Sequence, residues 1–231
     1  KFFYLIYCMT TKLILVIVFI VCLVLMAYMK TNKRKKVVFL GDSITQLGLQ
    51  ANGYITQIQA LIQQEDVEQK YQLLSAGVNG STTLSLKERL QKNELQYSPD
   101  IAVVLIGIND VWMQQETNST IEQFEQDYTA IIQQLLQSNS AIVLCTLTVI
   151  GESTESPLNT TLNQYCDVIV RLAGLYSLPF IHLRQVFNDY LALNNTENIY
   201  SGILTTDGVH LNSVGNALVA NEIWQKIKLF K

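Results

Sequence analysis

The sequence predicts an α/β protein: a three-layer α/β/α sandwich on a parallel sheet, preceded by one N-terminal transmembrane helix. Two observations support this fold class. Short β-branched runs alternate with amphipathic stretches of helical spacing, and strands separated by helices pair in parallel through right-handed crossovers. A separate apolar run precedes this alternation in the 231-residue chain. The length suits one ordinary domain with an appendage.

The apolar run extends from Leu13 to Met29 without a charged residue and has a lysine on each side. A helix of this length spans roughly 26 Å, close to the hydrocarbon thickness of a bilayer. The alternative is a cleaved signal peptide, whose apolar core is usually about 7–15 residues long and ends in a small-residue cleavage site. We therefore predict a membrane anchor within residues 1–30 and a basic linker over residues 31–36.

Charge is divided unevenly along the chain. The first 36 residues hold seven basic residues and no acidic one, whereas the remainder holds nine basic and nineteen acidic residues. Because an acidic domain is a poor partner for nucleic acid, no nucleic-acid partner is predicted. The basic cluster from Lys30 to Lys36 favours anionic headgroups and a cytoplasmic domain. Asn-x-Ser/Thr triplets of the kind that are glycosylated in secreted proteins favour a domain on the other side of the membrane; they begin at Asn79, Asn118, Asn159 and Asn194. The membrane topology therefore stays open.

Five strands are predicted in the domain over residues 37–231. Each is a short run of β-branched and apolar residues, and prolines precede the third and fifth runs. The predicted strands are Val37–Leu40, Tyr71–Leu74, Ile101–Ile106, Ala141–Thr146 and Phe180–Ile181.

Four helices are predicted between and after these strands. Their apolar residues recur at helical spacing, and Asn212 or Ser213 is available to cap the last one. The predicted helices are Tyr54–Gln64, Ile121–Leu136, Leu158–Leu175 and Ser213–Leu229. In parallel sheets, functional sites form at the carboxyl ends of the strands, so the residues that follow each strand are the candidates for chemistry.

Gly41-Asp42-Ser43-Ile44 follows the first strand directly. A hydroxyl at a strand-to-helix turn is exposed at the sheet edge, near backbone N–H groups that favour negative charge. Asp and Ser are also favoured helix caps, so this cluster alone leaves a catalytic and a capping role open.

Two further polar clusters follow the second and third strands. The first contains Gly77 and Gly80, which allow the backbone to approach a ligand closely and to present an N–H group. The second is Gly107-Ile108-Asn109-Asp110, in which the Asn109 amide can donate to an oxyanion. Each cluster taken alone favours a plain turn over a functional loop.

A fourth cluster, Asp207-Gly208-Val209-His210, precedes the last helix. A carboxylate three residues before an imidazole can bond Nδ1 and leave Nε2 free to take a proton from a serine. The other histidine, His182, follows the fifth strand, and we predict a structural role for it. Together the clusters supply a nucleophile, a base, an orienting acid and oxyanion donors, the set that acyl transfer requires.

Other enzyme classes lack their signatures. The chain has no Gly-x-Ser-x-Gly elbow, no Walker loop and no Gly-x-Gly-x-x-Gly fingerprint. Two histidines without clustered cysteines make a poor metal-ligand set. No metal and no cofactor are therefore predicted.

The four clusters together resemble the sequence blocks of the SGNH/GDSL hydrolase family, and the resemblance covers Val37 to the C-terminus. The matching residues are Gly41-Asp42-Ser43-Ile44 for block I, Gly80 for block II, Gly107-x-Asn109-Asp110 for block III and Asp207-x-x-His210 for block V. The one departure is Ile44, where leucine is usual. The resemblance implies a flavodoxin-like order of the parallel five-stranded sheet.

The resemblance also implies the role of each residue. Ser43 would be the nucleophile, His210 its base and Asp207 the acid that orients His210. The oxyanion would be held by the N–H of Ser43, the N–H of Gly80 and the side chain of Asn109.

The predicted function is serine-dependent hydrolysis of O-acyl esters, acetyl esters among them, on a small-molecule, glycan or lipid substrate. Three alternatives stay open: a thioesterase or lysophospholipase, transfer of the acyl group to a sugar hydroxyl, and an inactive membrane-tethered binding module. The loops over residues 111–120 and 147–157 are expected to shape specificity. The sequence does not determine the oligomeric state.

Overall fold

The computed structural model describes residues 14–22, 33–90, 92, 95–114 and 120–230. The chain divides into two compact units, Lys1–Arg34 and Lys35–Lys231. In the first unit, residues 14–22 are helical and expose their apolar side chains. The rest of the predicted anchor lies outside the described residues, as does part of the linker. Among the helices that the structure describes, none combines the length and the apolarity needed to cross a bilayer.

The second unit is built on one five-stranded sheet in which every pairing is parallel. The strands are β1 (Lys35–Gly41), β2 (Tyr71–Gly77), β3 (Ile101–Leu105), β4 (Ala141–Cys145) and β5 (Phe180–Ile181). Their order in the sheet is β2-β1-β3-β4-β5, the flavodoxin-like order with its switch point between β1 and β3. This confirms the predicted parallel five-stranded sheet.

Helices form the layers on either side of the sheet, which confirms the predicted three-layer sandwich. The helices that the structure describes within residues 35–230 are α1 (Ser43–Leu47), α2 (Tyr54–Gln64), α3 (Thr83–Arg89), α4 (Ile108–Trp112), α5 (Ile121–Gln137), α6 (Leu158–Leu175), α7 (Leu183–Asn194) and α8 (Ser213–Ile227), with a 3₁₀ turn at Leu95–Tyr97. Helix α2 packs against α8, and helices α3 and α6 both pack against α5.

The hydrophobic core lies on both faces of the central strands. Every residue of β3 is buried, and so are Val37 to Gly41 of β1. Strands covered by helices on both faces read as continuous apolar runs, which is why the sequence revealed them. The edge strand β2 is only partly buried, and it extends to Gly77, three residues beyond the prediction.

Helices α1, α3, α4 and α7 were not predicted. Helices α1 and α4 have five residues each, too few to show a helical period. Helix α3 has its own start signal, because the Thr82 hydroxyl accepts from the Ser85 N–H and the Ser85 hydroxyl accepts from the Thr82 N–H. In α7 the buried Leu183, Phe187 and Leu191 recur every four residues.

Candidate active site

The turn that carries Ser43 is held in place by Asp42 and by close backbone packing. The Asp42 carboxylate accepts a hydrogen bond of 2.9 Å from the Ile44 N–H and caps α1. A Cβ atom at Gly41 would collide with the Thr45 side chain and the Leu105 carbonyl oxygen. Glycine therefore lets β1 end close against its neighbours, and Ser43 becomes the first residue of α1.

The structure brings Ser43 and His210 together, although 167 positions separate them in the sequence. The Ser43 Oγ lies 3.0 Å from the His210 Nε2. On the other side of the ring, His210 Nδ1 lies 2.7 Å from an Asp207 carboxylate oxygen. Serine, imidazole and carboxylate thus form a continuous chain of hydrogen bonds, the geometry in which an imidazole can take a proton from a hydroxyl.

The Asp207 carboxylate is also tied to its own turn. Its other oxygen accepts from the backbone N–H groups of Val209 at 2.9 Å and His210 at 2.8 Å. Partial burial acts to raise the pKa of Asp207, but the hydrogen bonds from His210 and Val209 outweigh it and lower the pKa. Asp207 therefore stays ionised and can stabilise positive charge on the adjacent ring.

Asn109 and Gly80 lie beside this chain. Asn109, in α4, donates a hydrogen bond of 2.9 Å to the Ser81 carbonyl oxygen, which fixes its amide against the loop that carries Gly80. Gly80 has a φ of +73°, a conformation that other residues rarely adopt. No residue that the structure describes accepts a hydrogen bond from the Gly80 N–H. This N–H group and the second Asn109 amide hydrogen are available to an oxyanion.

A cleft of about 260 Å³ lies beside Ser43, His210 and Asn109. Its walls include Trp112, which is 50% exposed. Sequence reasoning did not single this residue out, although it lies in the loop over residues 111–120 that was expected to shape specificity. An exposed aromatic ring beside a nucleophile offers a flat apolar surface to a ligand. The cleft is lined by Ser43, Asn79, Ile108, Asn109, Trp112, Asp207, Val209 and His210.

Arg89 connects the carboxyl ends of two strands and was also missed. Its guanidinium donates to the Ala76 carbonyl at the end of β2 and, at 2.9 Å, to the Gly41 carbonyl at the end of β1. It also contacts the Ser81 hydroxyl at 3.4 Å. Arg89 therefore holds the Ser43 turn and the Gly80 loop in fixed positions relative to each other.

Glu152 is a third residue that sequence reasoning missed. Its carboxylate is buried and accepts from the backbone N–H groups of Ile203 at 2.8 Å, Leu204 at 2.7 Å and Thr205 at 2.5 Å. It also accepts from the Thr205 hydroxyl at 2.6 Å, which in turn accepts from the Gly208 N–H at 3.0 Å. One carboxylate thus anchors the segment that leads into Asp207 and His210.

His182 lies at the N-terminus of α7. Its Nδ1 accepts from the Gln185 N–H at 3.4 Å, and the residue caps the helix. This position agrees with the structural role predicted for it, and His182 does not line the cleft.

The buried Asp42 gives the stability of the protein a pH dependence that can be measured. Burial, chiefly, raises the pKa of Asp42 from 3.8 to about 7, although the Ile44 N–H bond opposes the shift. The folded protein holds the Asp42 proton more tightly than the unfolded chain does. The resulting contribution to the free energy of unfolding is therefore fully present below about pH 4 and is lost as the pH rises through 7. Between these two pH values the unfolding free energy of the wild type should fall by an amount on the order of 2–4 kcal/mol because of Asp42. We expect this fall to be absent from Asp42→Asn, which has no carboxyl group to titrate.

Denaturant unfolding at a series of pH values measures this effect, and Asp167→Asn, an exposed carboxylate of α6, is the matched control. The control should retain the wild-type pH dependence. An Asp42→Asn variant whose unfolding free energy falls with pH as steeply as that of the wild type would contradict the assignment.

Comparison with known proteins identifies the family. The model of the GDSL-like lipase/acylhydrolase family matches residues 39–218, a range that contains all five residues predicted from the resemblance. The chain belongs to this family. As a GDSL-like acylhydrolase, it is a serine-dependent carboxylic-ester hydrolase, which confirms the predicted enzyme class.

Solved structures and a curated relative agree with this assignment. The acetyl xylan esterase AlAXEase is 37% identical, with a TM-score of 0.80 over 83% of this chain and 99% of that protein. The acetylxylan esterase Axe2 from Geobacillus stearothermophilus is 25% identical, with a TM-score of 0.74 over 84% of this chain and 94% of its own. A curated acetylxylan esterase from the same organism is 26% identical over 216 residues, which are 86% of this chain and 96% of that protein.

Proposed function

We propose that this GDSL-like acylhydrolase removes acetyl groups from the hydroxyls of a xylan-type glycan, with Ser43 as nucleophile. The observation that carries the proposal is the distance of 3.0 Å between the Ser43 Oγ and the His210 Nε2, in a cleft that Trp112 also lines. The similarity to acetylxylan esterases supports the choice of acetyl group and glycan.

In the first half of the reaction, the Ser43 Oγ attacks the acetyl carbonyl carbon while His210 Nε2 takes the hydroxyl proton. The carbonyl π electrons move onto oxygen, and the resulting oxyanion accepts hydrogen bonds from the N–H groups of Ser43 and Gly80 and from the Asn109 amide. Donors fixed in advance at this point are worth about 3–4 kcal/mol each in the barrier. Asp207, kept ionised by its hydrogen bonds, stabilises the imidazolium of His210.

The first half ends when the oxyanion collapses: the bond between the carbonyl carbon and the sugar oxygen breaks, the sugar oxygen leaves with the proton from His210, and the acetyl group remains on Ser43. The second half releases the acetyl group from the enzyme. A water molecule then gives a proton to His210 and attacks the acetyl-enzyme. Collapse of the second oxyanion releases acetate and returns the proton to Ser43. The same base thus serves both steps, and water is the co-reactant.

The size of the cleft predicts a preference for short acyl groups. We expect kcat/KM on 4-nitrophenyl esters to be highest for acetyl and to fall by roughly tenfold or more at octanoyl, because about 260 Å³ leaves little room for a longer chain. Acetate release from acetylated xylo-oligosaccharides tests the glycan, with the Ser43→Ala variant as blank. An octanoyl preference would contradict the acetyl site, and cleavage of 4-nitrophenyl acetate without acetate release from the glycan would contradict the glycan assignment.

We also propose that the N-terminal run over residues 13–29 anchors the enzyme in a membrane. The absence of charge from this run and the exposed apolar side chains of the helix at residues 14–22 support it. The full chain should remain with the membrane fraction after alkaline extraction, whereas a chain that begins at residue 35 should be released. Release of the full chain would contradict the anchor. If the full chain stays with the membrane, protection of the hydrolase unit from added protease would show on which side of the membrane that unit lies.

A further inference from the structure

A second cleft, of about 400 Å³, lies between residues 149–156, the beginning of α6 and helix α7. It shares no lining residue with the cleft at Ser43. Its wall is rich in side-chain amides around one arginine, and includes Asn163, Arg184, Asn195 and Asn198. Neither the proposed reaction nor the sequence motifs assign it a role.

Arg184 is the only lysine or arginine that lines this cleft among the residues that the structure describes, and it is 5% exposed. Its Nε donates to the Asn163 side-chain oxygen at 2.8 Å, and its Nη1 donates to the Thr148 carbonyl at 2.9 Å. Both acceptors are neutral. Across residues 33–90, 95–114 and 120–230, no carboxylate pairs with this guanidinium.

A buried cation without a counter-ion is costly, because neutral acceptors replace only part of the hydration that it loses. Burial, accordingly, lowers the pKa of Arg184. The guanidinium also has hydrogen-bonding capacity to spare, since its Nη2 makes no hydrogen bond to a described residue. A bound anion would supply both the missing charge and the missing acceptor.

Several other polar side chains of the cleft have their acceptor oxygens already occupied. The side-chain oxygen of Asn198 already accepts from the Thr154 N–H and hydroxyl, and that of Asn195 accepts from the Ile199 N–H. The Glu152 carboxylate is occupied by residues 203–205. The Nδ2 groups of Asn163 and Asn198, by contrast, donate to no described residue. The cleft therefore offers N–H groups around a positive charge.

We propose that this cleft binds a carboxylate, with the Arg184 guanidinium as its ion-pair partner and side-chain amides as further donors. A planar guanidinium suits a planar carboxylate, which can accept two parallel hydrogen bonds. Two sources share this chemistry: a uronic acid carried by a glycan, for which the volume has room, and a small free acid such as acetate. The proposal concerns binding alone and does not depend on the reaction at Ser43.

The test compares ligands on the full chain by calorimetry: sodium glucuronate, sodium acetate, sodium sulfate and uncharged glucose. We expect the carboxylates to bind, and sulfate and glucose to bind roughly tenfold more weakly or not at all. Tighter binding of glucuronate than of acetate identifies a sugar acid as the ligand, whereas equal binding identifies a free carboxylate. If neither carboxylate binds, or if sulfate binds equally well, the proposal is wrong.

Asn163→Asp provides a sharper variant than removal of the arginine. Its carboxylate keeps the acceptor for the Arg184 Nε and supplies the missing negative charge, so the fold is preserved while the ligand is excluded. We expect glucuronate and acetate to bind roughly tenfold or more weakly to this variant. Gln164→Glu, on the same helix but outside the cleft, adds the same charge as a control and should bind like the wild type. Equal loss in both variants would overturn the assignment to Arg184.

Discussion

Replacing Ser43 or His210 by alanine is expected to lower kcat on an acetyl ester by roughly 10⁴–10⁶-fold, and replacing both is expected to cost no more than either change alone. The two side chains share one proton across 3.0 Å, so neither can act without the other. Once one of the two side chains has been removed, removal of the other should cause no further loss of kcat. Steady-state rates of the two single variants and the double variant test this non-additivity directly.

His182→Ala is the matched control, because it removes the chain's other histidine from the start of α7. It should keep kcat close to the wild-type value, with at most a modest loss of stability. A fluorophosphonate probe gives an independent measurement: it should label Ser43 in the wild type and in His182→Ala, but not in His210→Ala. Rapid labelling of His210→Ala, or rate losses that multiply in the double variant, would show that Ser43 and His210 do not form one catalytic unit.

The grouping of Ser43, Gly80 and Asn109 could be predicted from a general rule, whereas His210 follows no strand and was assigned beside Ser43 from the Asp207-x-x-His210 cluster and the family resemblance. Residues that follow parallel strands gather at one edge of the sheet, and Ser43, Gly80 and Asn109 each follow such a strand. The strands themselves were readable because burial on both faces demands continuous apolar residues, as in β3. The apolar pattern of the strands and the topology of the sheet together therefore predict at which edge of the sheet these residues lie and in which order.

The residues that fix this geometry could not be predicted, and the reason is physical. Arg89 and Glu152 act through backbone groups that lie 13 to 53 positions away from them. Every residue type carries the same peptide carbonyl, and every type except proline the same N–H, so the sequence does not mark these partners. Trp112 lies in α4, a helix of five residues, in which no apolar period indicates which way its ring points. The residues predicted to carry out the chemistry could be recognised in the sequence. The residues that hold them in position could be recognised only in the folded structure.

Glu152→Gln tests this support. The amide retains one acceptor oxygen but turns an NH₂ group towards backbone N–H groups that the carboxylate now satisfies, such as those of Ile203 and Leu204. Leaving one buried donor unpaired and losing charge-assisted bonds should cost about 3 kcal/mol of unfolding free energy. Because Thr205 passes the constraint on to Gly208, between Asp207 and His210, kcat should fall by roughly 10²-fold even where the variant is fully folded.

A purely structural role would lower the melting temperature and leave kcat unchanged well below it, so both quantities have to be measured on the same sample. Glu155→Gln, an exposed glutamate three positions away, is the control and should change neither. Retention of wild-type kcat by a destabilised Glu152→Gln would assign Glu152 to folding alone. A lower kcat in a fully folded variant would instead place Glu152 among the residues that position His210, because the hydrogen bonds of its carboxylate lead through Thr205 and Gly208 to the turn that carries the imidazole.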